Sequence, residues 1–344
     1  MHTEKITLTD KQTNRQTDRI EWIDIAKGIA ILCIIAGHMG INAVNRIVFT
    51  FHVPIFFLIS GYFLSFLSDF KSYFKKCVKR LVLPYLFTSF LLIIAKGCID
   101  IVKGRMESVL SDIGTVFVQA LYGSGSNDNK TFGNIQQIGA IWFLLALLWA
   151  LLLVKLVINK RYGFLIVTAV AIVSYISSRY FWLPWDIQAG GTAAVFVYLG
   201  AYYKKKNCKF DIKWWLVIIG SIALVLEYIS DVNVSIVRNY YKYTIVSIIG
   251  ALLISYVVLC ISKGMESIVF VKKLLCFFGK NSIIVLCFHL VELNNVPWHI
   301  IHTLLSGVPL WIRCFVIFAG KIIFVSSCTA IVLKVNGLRK IFSR

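Results

Sequence analysis

The sequence predicts an all-α, polytopic integral membrane helical bundle of about ten transmembrane helices, with both termini cytoplasmic. Three observations predict it. Hydrophobic residues make up 58% of the 344-residue chain and charged residues only 15%, against about half and a quarter in an ordinary soluble domain. The apolar excess is gathered into runs of about 20 residues, the length that crosses a hydrocarbon core roughly 30 Å thick. The basic residues concentrate in the short connections, on alternate sides.

Taken in order, the runs cover 22–44, 47–68, 81–102, 139–158, 163–180, 188–203, 214–230, 244–262, 281–295 and 309–333. The first 20 residues are polar and lack the apolar stretch of a removable signal, so the first run is expected to target the protein itself. Pro297 interrupts the short ninth run. Counting alternately from a cytoplasmic N-terminus, inner segments hold twenty-four Lys and Arg and outer segments six. That asymmetry obeys the positive-inside rule, and an odd number of spans would put the basic tail outside. The long connection 103–138 then lies outside, with an amphipathic helix expected over Met106–Tyr122 and a flexible Gly123–Asp128 segment after it. Trp22, Trp214 and Trp215 fall at inner boundaries and Trp182, Trp185, Trp298 and Trp311 at outer ones, as interfacial anchors do. The layout is a cytoplasmic tail (1–21), a transmembrane domain (22–333) and a second cytoplasmic tail (334–344), in a cell membrane.

Composition also excludes function classes. A net charge of +20 would suit nucleic acid, but a nucleic-acid footprint is one basic stripe on a folded domain. Here the charge is divided among loops. The nine cysteines include no C-x-x-C pair, so neither a metal site nor a disulfide framework is expected.

The first run carries three ionisable groups, Asp24, Lys27 and His38, and each is expensive in a bilayer. At about 100° per residue, Lys27 and His38 differ by roughly 20° around the axis and Asp24 lies about 60° from Lys27. All three therefore share one face. Asp24 and Lys27 form an i,i+3 pair, which reads either as an ion pair fixing the helix start or as part of a site. His38 reads either as an interhelical hydrogen bond or as a base in the outer half, about 16 Å from Lys27. His52, before Pro54, lies near the outer end of the next run, close enough in sequence to share a cavity with His38.

These residues carry a resemblance. Arg19-Ile-Glu-Trp-Ile-Asp24-Ile-Ala-Lys27-Gly28, with His38 eleven residues after Lys27, resembles the Arg/Lys-x10-His signature of the membrane-bound acyltransferase-3 family. Phe51-His52-x-Pro54-x-Phe56-Phe57-x-x-Ser60-Gly61-Tyr62 looks like its second motif. Lys75-Lys76-Cys77-Val78-Lys79-Arg80, running into Leu83-Pro84-Tyr85, is similar to its basic loop. Trp142-Phe143-Leu144 and Gly279-Lys280-Asn281-Ser282, with His289 beyond, match later landmarks, nearest the fucose-acetylase-like sugar O-acetyltransferases. Lys27 stands where most members carry Arg, and the basic loop lacks a clean Arg-x-x-Arg.

The resemblance implies an O-acetyltransferase that takes an acetyl or other short acyl group from acyl-CoA, without a metal, and passes it to a hydroxyl of a cell-surface or lipid-linked carbohydrate. His38, Asp24 and His52 are the expected catalytic residues, with His38 either the base that takes the acceptor's proton or a transient carrier of the acyl group. Lys27, Lys75, Lys76, Lys79 and Arg80 would hold the phosphates of acetyl-CoA, although a basic loop also serves simply to set topology. Ser60, Asn281, Ser282 and His289 would contact substrate, although for Asn281 and Ser282 the favoured reading of the residues alone is that they cap the ninth helix. The competing readings are a transporter or flippase for a polysaccharide precursor, whose intramembrane charges would form a relay, and a non-enzymatic membrane partner, which needs no polar stripe on its first helix.

Overall fold

The computed structural model describes residues 20–230 and 234–342. The expected basic residues Lys5, Lys11, Arg15, Arg19 and Arg344 lie outside the described residues. Among the described residues sixteen α-helices follow one another: α1 (Glu21–Gly37), α2 (Asn42–Val48), α3 (His52–Tyr62), α4 (Phe70–Cys77), α5 (Leu83–Val102), α6 (Val109–Tyr122), α7 (Trp142–Val157) and α8 (Gly163–Ser177). Then come α9 (Ile187–Lys205), α10 (Trp214–Ser230), α11 (Ile245–Gly264), α12 (Val269–Lys280), α13 (Ser282–Asn295), α14 (Trp298–Leu304), α15 (Leu310–Lys334) and α16 (Asn336–Ile341). Val234–Ser235 pairs antiparallel with Tyr240–Tyr241 and is the only strand pair among the described residues.

Every predicted apolar run is helical, but the helices are not ten equal spans. Among the described residues, four stretches are long and apolar enough to cross a membrane unaided: Asn42–Tyr62, Phe70–Val102, Ile245–Ser267 and Leu310–Lys334. The pair α12–α13, bent by 74°, makes a fifth if read as one broken span. The ninth run is thus the second limb of a broken helix. Its partner limb, α12, was expected to be a basic connection.

Three other boundaries differ for local reasons. The first helix stops at Gly37 instead of 44, because Gly40 takes a left-handed conformation (φ +74°) that ends a helix. The connection expected before the second run is itself helical, as α2. The basic stretch 75–80, expected as a loop, is helical: α4 runs into α5 through a π-helical turn at Val78–Val82, where the Leu83 N–H donates to the Val78 carbonyl. Pro84 explains the widened turn. It has no N–H for the Arg80 carbonyl and its ring would press on that group.

The segment after α6 is packed in place. Asn129 is buried and donates to Ser124 Oγ and the Val237 carbonyl, each at 3.1 Å, and Arg238 pairs with Asp128 at 2.9 Å. Lys96 of α5 pairs with Asp100 one turn further along and ties α6 down through Asp112, both at 2.7 Å. The same ammonium holds the Asp112 carboxyl below the usual carboxylate range. Two expected tryptophan anchors are instead structural: Trp182 is buried and donates to Asp186 at 2.7 Å, and the Trp298 indole donates to Glu292.

Helix α9 lies at the centre, packed on α3, α7 and α8, while α1 packs chiefly on α12 and α13 packs on α5 and α15. Small residues make these approaches close. A Cβ added at Gly28 would sit 2.1 Å from the Leu275 carbonyl oxygen, and one at Gly279 would sit 1.8 Å from that of Asp24. Gly61 and Gly200 do the same for α3 and α9, each with a carbonyl 2.0 Å away. Backbone contact of this kind is how helices associate where lipid removes the hydrophobic driving force.

Candidate active site

The close α1–α12 contact sets the break between α12 and α13 against the start of α1, and a cavity of about 440 Å³ opens there. Five cations from four parts of the chain line it: Lys27 of α1, Lys76 and Arg80 of the α4–π segment, Lys280 at the α12 break and Arg339 of α16. Ser60, Asn281 and Ser282 line the same space. Lys27 also pairs with Asp24 at 2.6 Å, and the two side chains are 13% and 5% exposed. Both ends of the described chain therefore reach the same end of the bundle, since Lys27 and Arg339 share one cavity.

The remaining walls are apolar. Ile31 and Ile34 of α1, Phe56 of α3, Phe143 and Leu147 of α7 and Leu286 of α13 line the same space. On α1 the lining positions 27, 31 and 34 are one helical stripe, and the next position on it is 38. The His38 N–H closes the helix on the Ile34 carbonyl at 3.2 Å. The lining thus combines five cations with apolar side chains, and His38 is the next position after Ile34 on the lining stripe of α1.

Around His38 the structure assembles a second group. The His289 ring lies 5.3 Å from the His38 ring, centroid to centroid, and Phe49 lies 6.4 Å from His38 and 5.2 Å from His52. His289 is fully buried, with Nδ1 2.8 Å from Glu292 Oε1. Lys321 Nζ stands 2.9 Å from both oxygens of Glu292 and 5.1 Å from the centre of the Trp298 ring. Chemically, a neutral imidazole next along this apolar stripe can accept a proton from a hydroxyl. Among the described residues no three His, Cys, Asp or Glu side chains gather as a metal's ligands would.

A family model described as an acyltransferase domain matches residues 20–332. The chain belongs to the acyltransferase-3 family. Neither curated proteins nor solved structures returned a match. Membership makes it a membrane acyltransferase, with an acyl donor and an acceptor as substrates.

Against the positions expected of an acyltransferase-3 member, the structure groups some residues and separates others. Lys27, Lys76, Arg80, Ser60, Asn281 and Ser282 share the cavity. Lys75 and Lys79 do not; they line a separate open groove with Phe74, Val82 and Leu86, because they lie on the opposite side of the same helix. Asp24 is not beside His38. It precedes it by fourteen residues, about 21 Å along the axis, and belongs with Lys27. His52 is buried, with Nδ1 2.5 Å from the Val48 carbonyl, and Phe49 intervenes between it and His38. Asn281 does not cap α13; its Nδ2 donates backwards to the Phe277 carbonyl at 2.9 Å and closes α12.

His289 sits with His38 instead of the cavity. Arg339, Glu292 and Lys321 were not singled out from the sequence, and Lys280 was named only within a landmark, without a role. Glu292 and Lys321 each had a signal: an ionisable residue inside an apolar run marks function by default.

Proposed function

We propose that this acyltransferase moves an acetyl or other short acyl group from acyl-CoA to a hydroxyl of a cell-surface or lipid-linked carbohydrate, across a cell membrane. The single observation that carries this reading is the lining of the site. Five cations and an apolar wall in one cavity suit a polyphosphate joined to a thin, largely apolar acyl-pantetheine arm. The proposed orientation puts those cations and both termini in the cytosol, where acyl-CoA is made. Its supports are the twenty-four to six basic asymmetry and the meeting of α1 and α16 at one end.

In this reading Lys27, Lys76, Arg80, Lys280 and Arg339 bind the donor phosphates, and Ser60 and Ser282 contact the arm. His38 takes the proton of the acceptor hydroxyl as its oxygen attacks the thioester carbonyl. The alcohol's oxygen gains the C–O bond, the C–S bond breaks, and the leaving thiolate is reprotonated from His38. Asp24 keeps the Lys27 cation oriented and half-buried. Polysaccharide assembly is the setting that needs such a reaction, since acyl-CoA stays on one side of the membrane and surface sugars lie on the other.

The test is the chemistry of His38. General-base loss costs about 10²–10⁴ in rate, whereas a lost intramembrane hydrogen bond costs about 0.6 kcal/mol of stability. His38→Ala is expected to insert and express like wild type, yet leave surface glycan without base-labile acyl esters and purified protein without acetyl-CoA turnover. Normal acylation by His38→Ala contradicts the assignment.

A further inference from the structure

The buried polar cluster beside His38 is not needed to bind the donor, and its wiring is specific. Glu292 accepts from His289 Nδ1, from Lys321 and from the Trp298 indole. A carboxylate so fully engaged has no further proton to manage. What it fixes is the tautomer: with the proton on Nδ1, the His289 lone pair is on Nε2. That Nε2 is buried and has no hydrogen-bond partner among the described residues. A buried acceptor left unpaired is a cost that a structure tolerates only for a reason. The nearest ring is His38, 5.3 Å away, and two imidazoles joined by an N–H···N bond have centroids about 5 Å apart.

We infer that His289 and Glu292 are positioning residues that orient His38 and fix which of its nitrogens carries the lone pair. This rests on His38 being the base. The Glu292 carboxylate holds His289 Nδ1–H, and the open His289 Nε2 accepts one N–H of His38 when the two rings, 5.3 Å apart and tilted by 48°, turn toward each other. The other His38 nitrogen is then unprotonated and free to take the acceptor's proton as the C–O bond forms, and to return it to the departing thiolate. Throughout, the proton that His38 donates to His289 stays on His38. Lys321 cancels the Glu292 charge, so the resting cluster is neutral when both imidazoles are neutral, which an apolar interior tolerates. The groups facing His38 are His289, Glu292 and Lys321 from α13 and α15, with His52 beyond Phe49.

A double-mutant cycle on the purified full chain in lipid nanodiscs separates positioning from simple structural support. Glu292→Gln with Lys321→Met removes both charges together and strands neither. With acetyl-CoA as the probe and released CoA as the readout, this pair is expected to lower kcat about 10²-fold with the donor KM within about twofold. In a His38→Ala background it should lower the residual rate no further, because residues that act through one another are not additive. Equal losses in both backgrounds, or a loss confined to KM, overturn the inference.

Should the paired variant fail to fold, histidine ¹⁵N shifts of the wild-type protein decide. His289 as the Nδ1–H tautomer with a hydrogen-bonded Nε2 supports the inference, and an Nε2–H tautomer overturns it. Wild-type activity in His38→Ala alone would instead strike the base assignment itself, so the two failures are distinguishable.

Discussion

Lys27 holds its charge 2.6 Å from Asp24, with both side chains largely shielded, and that pairing decides what a substitution there does. Lys27→Ala removes a cation from the cavity and a partner from a buried carboxylate. Breaking a buried pair costs about 3–5 kcal/mol, so both donor binding and thermal stability should fall. Adding Asp24→Asn should recover stability while leaving the acyl-CoA KM raised about tenfold or more, whereas Lys27→Arg should keep most activity because the cation remains. Recovery of KM along with stability would mean that Lys27 is a topology residue and no more. The residues behind this prediction were legible in the sequence, because Asp24, Lys27 and His38 share a face by local helical period alone. Glu292 and Lys321 were not joined to them. Their meeting depends on α13 packing against α15, which no local period encodes.

At the scale of elements, the α1–α12 contact and α16 make the cavity. Gly28 and Gly279 let two backbones touch, so Gly279→Ala should lower stability by about 1–3 kcal/mol through overpacking. Gly114 in α6 has open space where a Cβ would go, and there the same change should stabilise by about 0.5–1 kcal/mol. Parallel thermal melts of the two variants check both signs; a neutral Gly279→Ala would mean that the helices can move apart at little cost.

Helix α16 brings Arg339 and Phe342 to the cavity, with Phe342 against Phe87 at 5.7 Å. Arg339→Ala should therefore raise the acyl-CoA KM several-fold with kcat nearly unchanged, and an unchanged KM would remove Arg339 from the donor site. The amino-acid pattern marked 334–344 only as a basic tail, since a six-residue helix has too little period to show which face it buries. The basic stretch 75–80 was read correctly for charge but not for facing. Only the helix, widened at the π turn before Pro84, decides that Lys76 and Arg80 face inward and Lys75 and Lys79 do not.

For the whole molecule, hydropathy placed a helix in every apolar run, because apolar run length is a one-dimensional property, but it missed the more polar helices α4, α12 and α16. It did not distinguish a full span from a limb of a broken one. The 74° bend at Asn281 needs α1 lying against it to make sense. The proposed orientation predicts that a cysteine placed near Asn127 reacts with an impermeant reagent from outside intact cells and one near Lys205 does not; the reverse pattern would invert the donor path. The central claim, that one passage carries an acyl group from a cationic mouth on one face to an acceptor on the other, is tested most directly by sidedness. In proteoliposomes of uniform orientation, acetyl-CoA supplied only on the side of Lys76 and Arg80 should acetylate a carbohydrate acceptor enclosed on the opposite side. Acetyl-CoA on the acceptor's side should give none. Equal acetylation from either side, or acetylation only when both substrates share a side, would contradict the account.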